Sequence, residues 1–188
     1  MLILQRQIPD TMQKVVIYCS SSSTIPVRYN EGAAQVVAGL CAKGYGIVSG
    51  GSFRGTMGVV SDTAARCGGY HKGVLPKFMK ALVYEPLSET VWTDTMANRK
   101  EEMRRDTVAA IALPGGIGTL DELIETHVLK KLDRYHGRVI AFNLDGFFDP
   151  FFALLDHYVA TGMLTPEGRD LIERFDSAAA LVDSFREM

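Results

Sequence analysis

Leu113-Pro114-Gly115-Gly116-Ile117-Gly118-Thr119-Leu120-Asp121-Glu122 is the stretch on which the reading of this chain turns. It follows Thr107-Val108-Ala109-Ala110-Ile111-Ala112, an apolar run of the length and composition of a buried strand. It leads into Leu123-Ile124-Glu125-Thr126-His127-Val128-Leu129, which has helical spacing. A glycine-rich turn between strand and helix presents backbone N–H groups at the positive end of a helix dipole, which suits an anion. Gly115, Gly116 and Gly118 carry no side chains to keep a phosphate away. Thr119 is expected to cap the helix and to offer its hydroxyl. Glu122 falls about one turn inside the mouth of that cradle. A carboxylate beside a phosphate cradle points to chemistry on a phosphorylated ligand.

Working outward, strand and helix patterns alternate along the whole chain. Strands are expected at Val15–Cys19, Gly46–Val48, His71–Leu75, Leu87–Trp92, Thr107–Leu113 and Arg138–Phe142. Helices are expected at Val27–Ala42, Met57–Cys67, Thr95–Arg105, Gly118 to about Leu132 and Phe148–Thr161, with Ser177–Arg186 closing the chain. This predicts an α/β fold: a doubly wound parallel sheet flanked by helices, in three layers. Ser20–Ser23, Gly50–Gly58 and Gly115–Gly118 all follow strands directly. In an open parallel sheet ligands bind outside the carboxyl ends of the strands, so these loops are expected to converge on one pocket. No repeat, low-complexity tract or linker divides the chain, and one domain is expected over residues 14–188, with residues 1–13 as a loosely held extension.

The 188 residues are 47% apolar and 22% charged, as in ordinary globular proteins. A net charge of −2 argues against a nucleic-acid or anionic-membrane surface. No apolar run approaches a bilayer span, and Met1-Leu2-Ile3-Leu4 is too short for a signal-peptide core. Cys19, Cys41 and Cys67 are odd in number and lack CxxC spacing, which favours a reducing, cytoplasmic compartment over disulfides or zinc. The four histidines, His71, His127, His136 and His157, have no ligand spacing, so no metal is expected.

The loop Gly50-Gly51-Ser52-Phe53-Arg54-Gly55-Thr56-Met57-Gly58 has neither the GxGxxG order of a dinucleotide fingerprint nor the Lys-Ser/Thr of a P-loop. Ser21 and Ser22 lack a G-x-S-x-G elbow, so ligand contact fits them better than nucleophilic attack. In the charged helix after the fourth strand, Lys100, Glu101, Arg104 and Arg105 read as a solvated face. Met96, Arg99 and Met103 share the opposite, apolar face. An arginine there needs a partner, and either an anionic ligand or Glu122 supplies one.

Pro114-Gly115-Gly116-Ile117-Gly118-Thr119-Leu120-Asp121-Glu122 fits PGGxGTxxE, and Met96-Ala97-Asn98-Arg99-Lys100 fits the companion MxxRK pattern. On these residues the chain resembles the Lonely Guy (LOG) family, often mislabelled lysine decarboxylase, from about Lys14 to Phe185. Cys19-Ser20-Ser21-Ser22, Gly50-Gly51, Gly73-Val74-Leu75-Pro76 and Asn143–Pro150 add to the resemblance. It implies a Rossmann-like fold, a homodimer, no cofactor, and phosphoribohydrolase activity on cytokinin riboside 5′-monophosphates or AMP. It also implies that Arg99 and Glu122 are the catalytic pair. The accompanying candidates for substrate and phosphate binding are Ser20, Ser21, Gly50, Gly51, Met96, Lys100, Gly115, Gly116, Gly118 and Thr119.

The chain departs from the family pattern at Ser52, Thr56 and Val128–Asp133, and in a shorter loop between Pro76 and Glu89, where Glu85 is the candidate acidic contact. These departures bear on base preference and assembly. The homodimer is expected to use the helices after the second strand and after the PGG turn, the first through its small residues Ala64 and Ala65. The rival readings are a nucleotide carrier without turnover, which the Arg99–Glu122 combination disfavours, and an NAD enzyme, which lacks its fingerprint.

Overall fold

The structure, a computed structural model, describes residues 12–188. The expected N-terminal extension therefore lies outside the described residues except for Met12 and Gln13, whose carbonyl accepts from the Gly46 N–H at 2.9 Å.

Val15 and Ile17 point to one side of their strand and Val16 and Tyr18 to the other, and all four are buried. A segment apolar on both sides has no solvent face and belongs at the centre of a covered sheet. It forms β1, Lys14–Tyr18. The sheet continues with β2 Gly46–Ser49, β3 His71–Pro76, β4 Glu89–Thr93, β5 Thr107–Ala112, β6 Arg138–Phe142 and β7 Ile172–Phe175. All seven strands are parallel, in the order β4-β3-β2-β1-β5-β6-β7.

The helices are α1 Val27–Ala42, α2 Gly55–Arg66, α3 Met96–Arg104, α4 Ile117–Lys131, α5 Asp149–Ala160, α6 Pro166–Arg169 and α7 Ala178–Asp183. Val36, Leu40, Val60, Ala64 and Leu181 bring α1, α2 and α7 onto the Val15–Ile17 side. Met103, Leu123, Phe152 and Leu155 bring α3, α4 and α5 onto the Val16–Tyr18 side. The three layers are those expected.

Several expectations need correction. The sheet has a seventh strand, β7, where the sequence pattern predicts six, and α6 and a 3-10 segment at Lys77–Leu82 are additions to the expected elements. α2 and α4, which the sequence reading assigns to a shared dimer face, cover opposite sides of the sheet. Ala64 is fully buried in the α1–α2 core and is not available for docking.

The chain winds from β1 to β4 in one direction, then returns to lay β5 against the other side of β1. That reversal puts the switch point of the sheet beyond the carboxyl ends of β1 and β5, the place where ligands bind in open parallel sheets. Cys19–Ser22 and Leu113–Gly116 are the segments that leave those two strands.

Candidate active site

The turn after β5 is shaped by its own side chains. A Cβ on Gly115 would lie 2.3 Å from Thr119 Oγ1, so that hydroxyl requires glycine there. Gly116 and Gly118 have nothing within 4 Å of a built Cβ and face open space. Gly116, not Thr119, is the N-cap of α4, and no side chain among the described residues caps the helix. Thr119 sits inside the first turn, buried, and its Oγ1 has no partner among the described residues. The first turn of α4 thus keeps free amides and a spare hydroxyl, the donor set an anion requires.

Arg99 and Glu122 approach from different helices. The expected partnership holds: Arg99 Nη1 donates to Glu122 Oε1 at 3.2 Å. Arg99 Nε also donates to the Val74 carbonyl on β3 at 3.1 Å. The residues are only 6% and 4% exposed. Gly50 yields the space, since a Cβ there would lie 2.3 Å from Arg99 Nη2. Gly51 adopts φ +65°, and its built Cβ would meet the Gly73 backbone. In the structure both glycines serve packing, Gly50 directly against the arginine.

Burial pushes the Glu122 carboxyl up to about 7. Arg99 and Lys100 pull it down, and Asp121 pushes it up. Burial likewise holds the neighbouring Cys19 thiol above its usual range, with Glu122 adding to the rise and Arg99 opposing it. Carboxyls raised toward neutrality by burial beside a cation are concentrated at functional sites.

A buried strut supports Glu122 from behind. Thr126 Oγ1 donates to the Glu122 carbonyl at 2.7 Å, so it accepts from Tyr18 OH, 2.9 Å away. Sequence reasoning missed Tyr18 and Thr126. Their signal was faint: a hydroxyl on each of two elements otherwise apolar at those positions.

The remaining candidates divide. Ser20 is buried, its Oγ accepts from Ser22 N at 3.0 Å, and its carbonyl accepts from Met57 N at 3.1 Å. Ser21 is exposed beside it. Met96, the first residue of α3, is half-exposed, while Met103 is buried, so the two do not share an apolar environment. Lys100 and Arg104 are not solvated as expected. Lys100 reaches Asp121 at 2.9 Å and also Glu125, and the buried Arg104 reaches Glu125 at 2.7 Å. Glu101 and Arg105 do face solvent. Glu85 is exposed on the β3–β4 connection.

Fold and site together define a class: a doubly wound parallel α/β protein with an open glycine turn and a buried acid–arginine pair at its switch point. Comparison with known proteins gives the family. The family model described as "possible lysine decarboxylase" matches residues 57–185. Cytokinin riboside 5′-monophosphate phosphoribohydrolase LOG of Oryza sativa subsp. japonica is 35% identical over 178 residues, which are 93% of this chain and 73% of that protein. A phosphoribohydrolase of the same description from Arabidopsis thaliana is 31% identical over 177 residues, 93% of this chain and 83% of that one. Among solved structures, the molybdenum cofactor binding protein from Rippkaea orientalis superposes with a TM-score of 0.72 at 18% identity, covering 92% of this chain and 94% of that one. That likeness is one of fold. The chain belongs to the LOG family.

Proposed function

We propose that this protein hydrolyses the N-glycosidic bond of nucleoside 5′-monophosphates, a cytokinin riboside 5′-monophosphate or AMP. The C1′–N bond breaks, water adds its oxygen to C1′, and the base leaves with a proton, so the products are free base and ribose 5-phosphate. The observation that carries this reading is the buried Arg99–Glu122 pair beside the open turn of α4. The amides of Gly115, Gly116 and Gly118, with the spare Thr119 hydroxyl, anchor the 5′-phosphate. Binding energy at that remote group orients the sugar. Loss of the base leaves an oxocarbenium-like sugar, which a Glu122 carboxylate stabilises while it orients or activates water. Arg99 holds Glu122 in place and offers charge to the departing base. Family membership at 35% identity supports the same reaction.

The acid limb of the pH profile tests the role of Glu122. Its working form is the carboxylate, and its acid form prevails below about 7. The kcat/KM for AMP is therefore expected to fall as pH drops through about 7, because that ratio reports groups of the free enzyme. A rate that stays flat down to pH ~5, near an ordinary carboxyl, contradicts the assignment.

The proposed state is a cytoplasmic homodimer docked through α4. Ile117, Ile124 and Val128 on that helix, with Leu132 at its C-cap, form an exposed apolar stripe at helical spacing. Such a stripe suits a two-fold contact with its own copy. Light scattering at low micromolar concentration is expected to give twice the 20.6 kDa of one chain. A mass of one chain contradicts the dimer.

A further inference from the structure

α3 lies over β3 and β4, whereas α4 lies over β1, β5 and β6. The two helices that carry the reactive pair are thus seated on different strands. Between them is a cavity of about 740 Å³, lined by Ala97, Glu101, Arg104, Glu125 and Leu129 among others. Their facing sides are bridged by long charged side chains. Arg99 meets Glu122 at the carboxyl edge of the sheet. One turn deeper, Glu125 receives both Lys100 and Arg104, and Lys100 extends a further bond to Asp121. On its other flank α3 is tied to β3 by Lys72 and Glu102 at 2.6 Å.

We propose that Glu125 is a positioning residue: by drawing Lys100 and Arg104 onto α4 it sets the distance between Arg99 and Glu122. The inference rests on the catalytic reading of that pair. Glu125 is the residue on which the bridge depends. Lys100 keeps Asp121 if Glu125 is neutralised, but Arg104 has no second carboxylate among the described residues. Arg104 is buried, and its Nη1 already lacks a partner among the described residues. A buried guanidinium stripped of its counter-charge does not stay in place. It moves toward the cavity, and the end of α3 moves with it. Arg99, about one and a half turns away on the same short helix, then leaves Glu122.

The consequence is specific. The charged groups that act on Glu122 are Arg99 and Lys100 on α3 and Asp121 on α4, while Tyr18 on β1 and Cys19 just after it face the same carboxyl as neutral groups. Arg99 is the strongest of those holding its carboxyl down, and Glu125 is not among them. Loosening Arg99 therefore moves the acid limb of kcat/KM to higher pH. The phosphate cradle lies on the β5–α4 turn and the start of α4, away from α3, and keeps its shape.

Glu125→Gln, Arg104→Gln and the double variant decide the matter, with Glu122→Gln run alongside and circular dichroism establishing the folded fraction. Each single variant is expected to lower kcat about 10-fold per folded molecule. KM for AMP should stay within about 2-fold and the acid limb should move upward. The double variant should fall no further than the worse single, as for two residues in one bridge. Wild-type kcat and an unmoved limb in Glu125→Gln, with Glu122→Gln inactive, overturn the positioning role alone. A loss of rate that only tracks the folded fraction overturns it too. Full turnover in Glu122→Gln overturns the catalytic reading, and this inference with it.

Discussion

Glu122→Gln is expected to lower the rate of AMP hydrolysis by at least ~100-fold, the scale for losing one group aimed at developing charge. Glutamine has nearly the volume of glutamate, so the buried site stays filled. Its amide oxygen still accepts from Arg99 Nη1, which now donates to Glu122 Oε1 at 3.2 Å. What is lost is the negative charge that meets an oxocarbenium-like sugar and the basicity that draws a proton from water. The phosphate cradle does not use the Glu122 side chain, so nucleotide affinity should change little. Single-turnover hydrolysis measured beside nucleotide titration separates the two effects. A folded variant with near wild-type turnover removes Glu122 from the mechanism.

Removal of the 5′-phosphate is expected to be at least as damaging. Gly116 and Gly118 face open space at the uncapped start of α4, and Thr119 Oγ1 has no protein partner among the described residues. Those donors match a phosphate and have nothing to grip on a free riboside. Charge-assisted hydrogen bonds contribute about 1.5–3 kcal/mol each. Two or more of them place adenosine about 10³-fold below AMP in kcat/KM. Comparable turnover of adenosine and AMP would show that the turn is not the substrate anchor.

Both predictions come from a turn whose role is legible in the amino-acid sequence. β1, β2, β5 and β6 announce themselves because a central parallel strand is apolar on both sides, and the glycines that follow mark where backbone meets ligand. Val27–Ala42 and Arg138–Phe142 fall where periodicity puts them. β7 is invisible to that pattern for a physical reason. Ile172-Glu173-Arg174-Phe175 is four residues long and lies at the sheet edge, with only partial burial to shape its composition. Lys100 and Arg104 defy expectation because periodicity tells that a charge is present and not what it faces. Their carboxylate partner is on another helix, more than twenty residues away. The expected Thr119 cap fails because a hydroxyl near a helix start fits either capping or ligand contact, and only backbone geometry separates the two. The opposite placement of α2 and α4 follows from winding direction, which a one-dimensional pattern does not carry.

The central claim is hydrolysis of a nucleotide into base and sugar phosphate. Its most direct measurement is incubation of the purified protein with AMP and, separately, with isopentenyladenosine 5′-monophosphate, with base and sugar phosphate quantified by chromatography over time. The account predicts that free base and ribose 5-phosphate appear in equal amounts, over many turnovers, from at least one of the two. Nucleotide bound tightly and recovered intact from both would contradict it and make the protein a carrier.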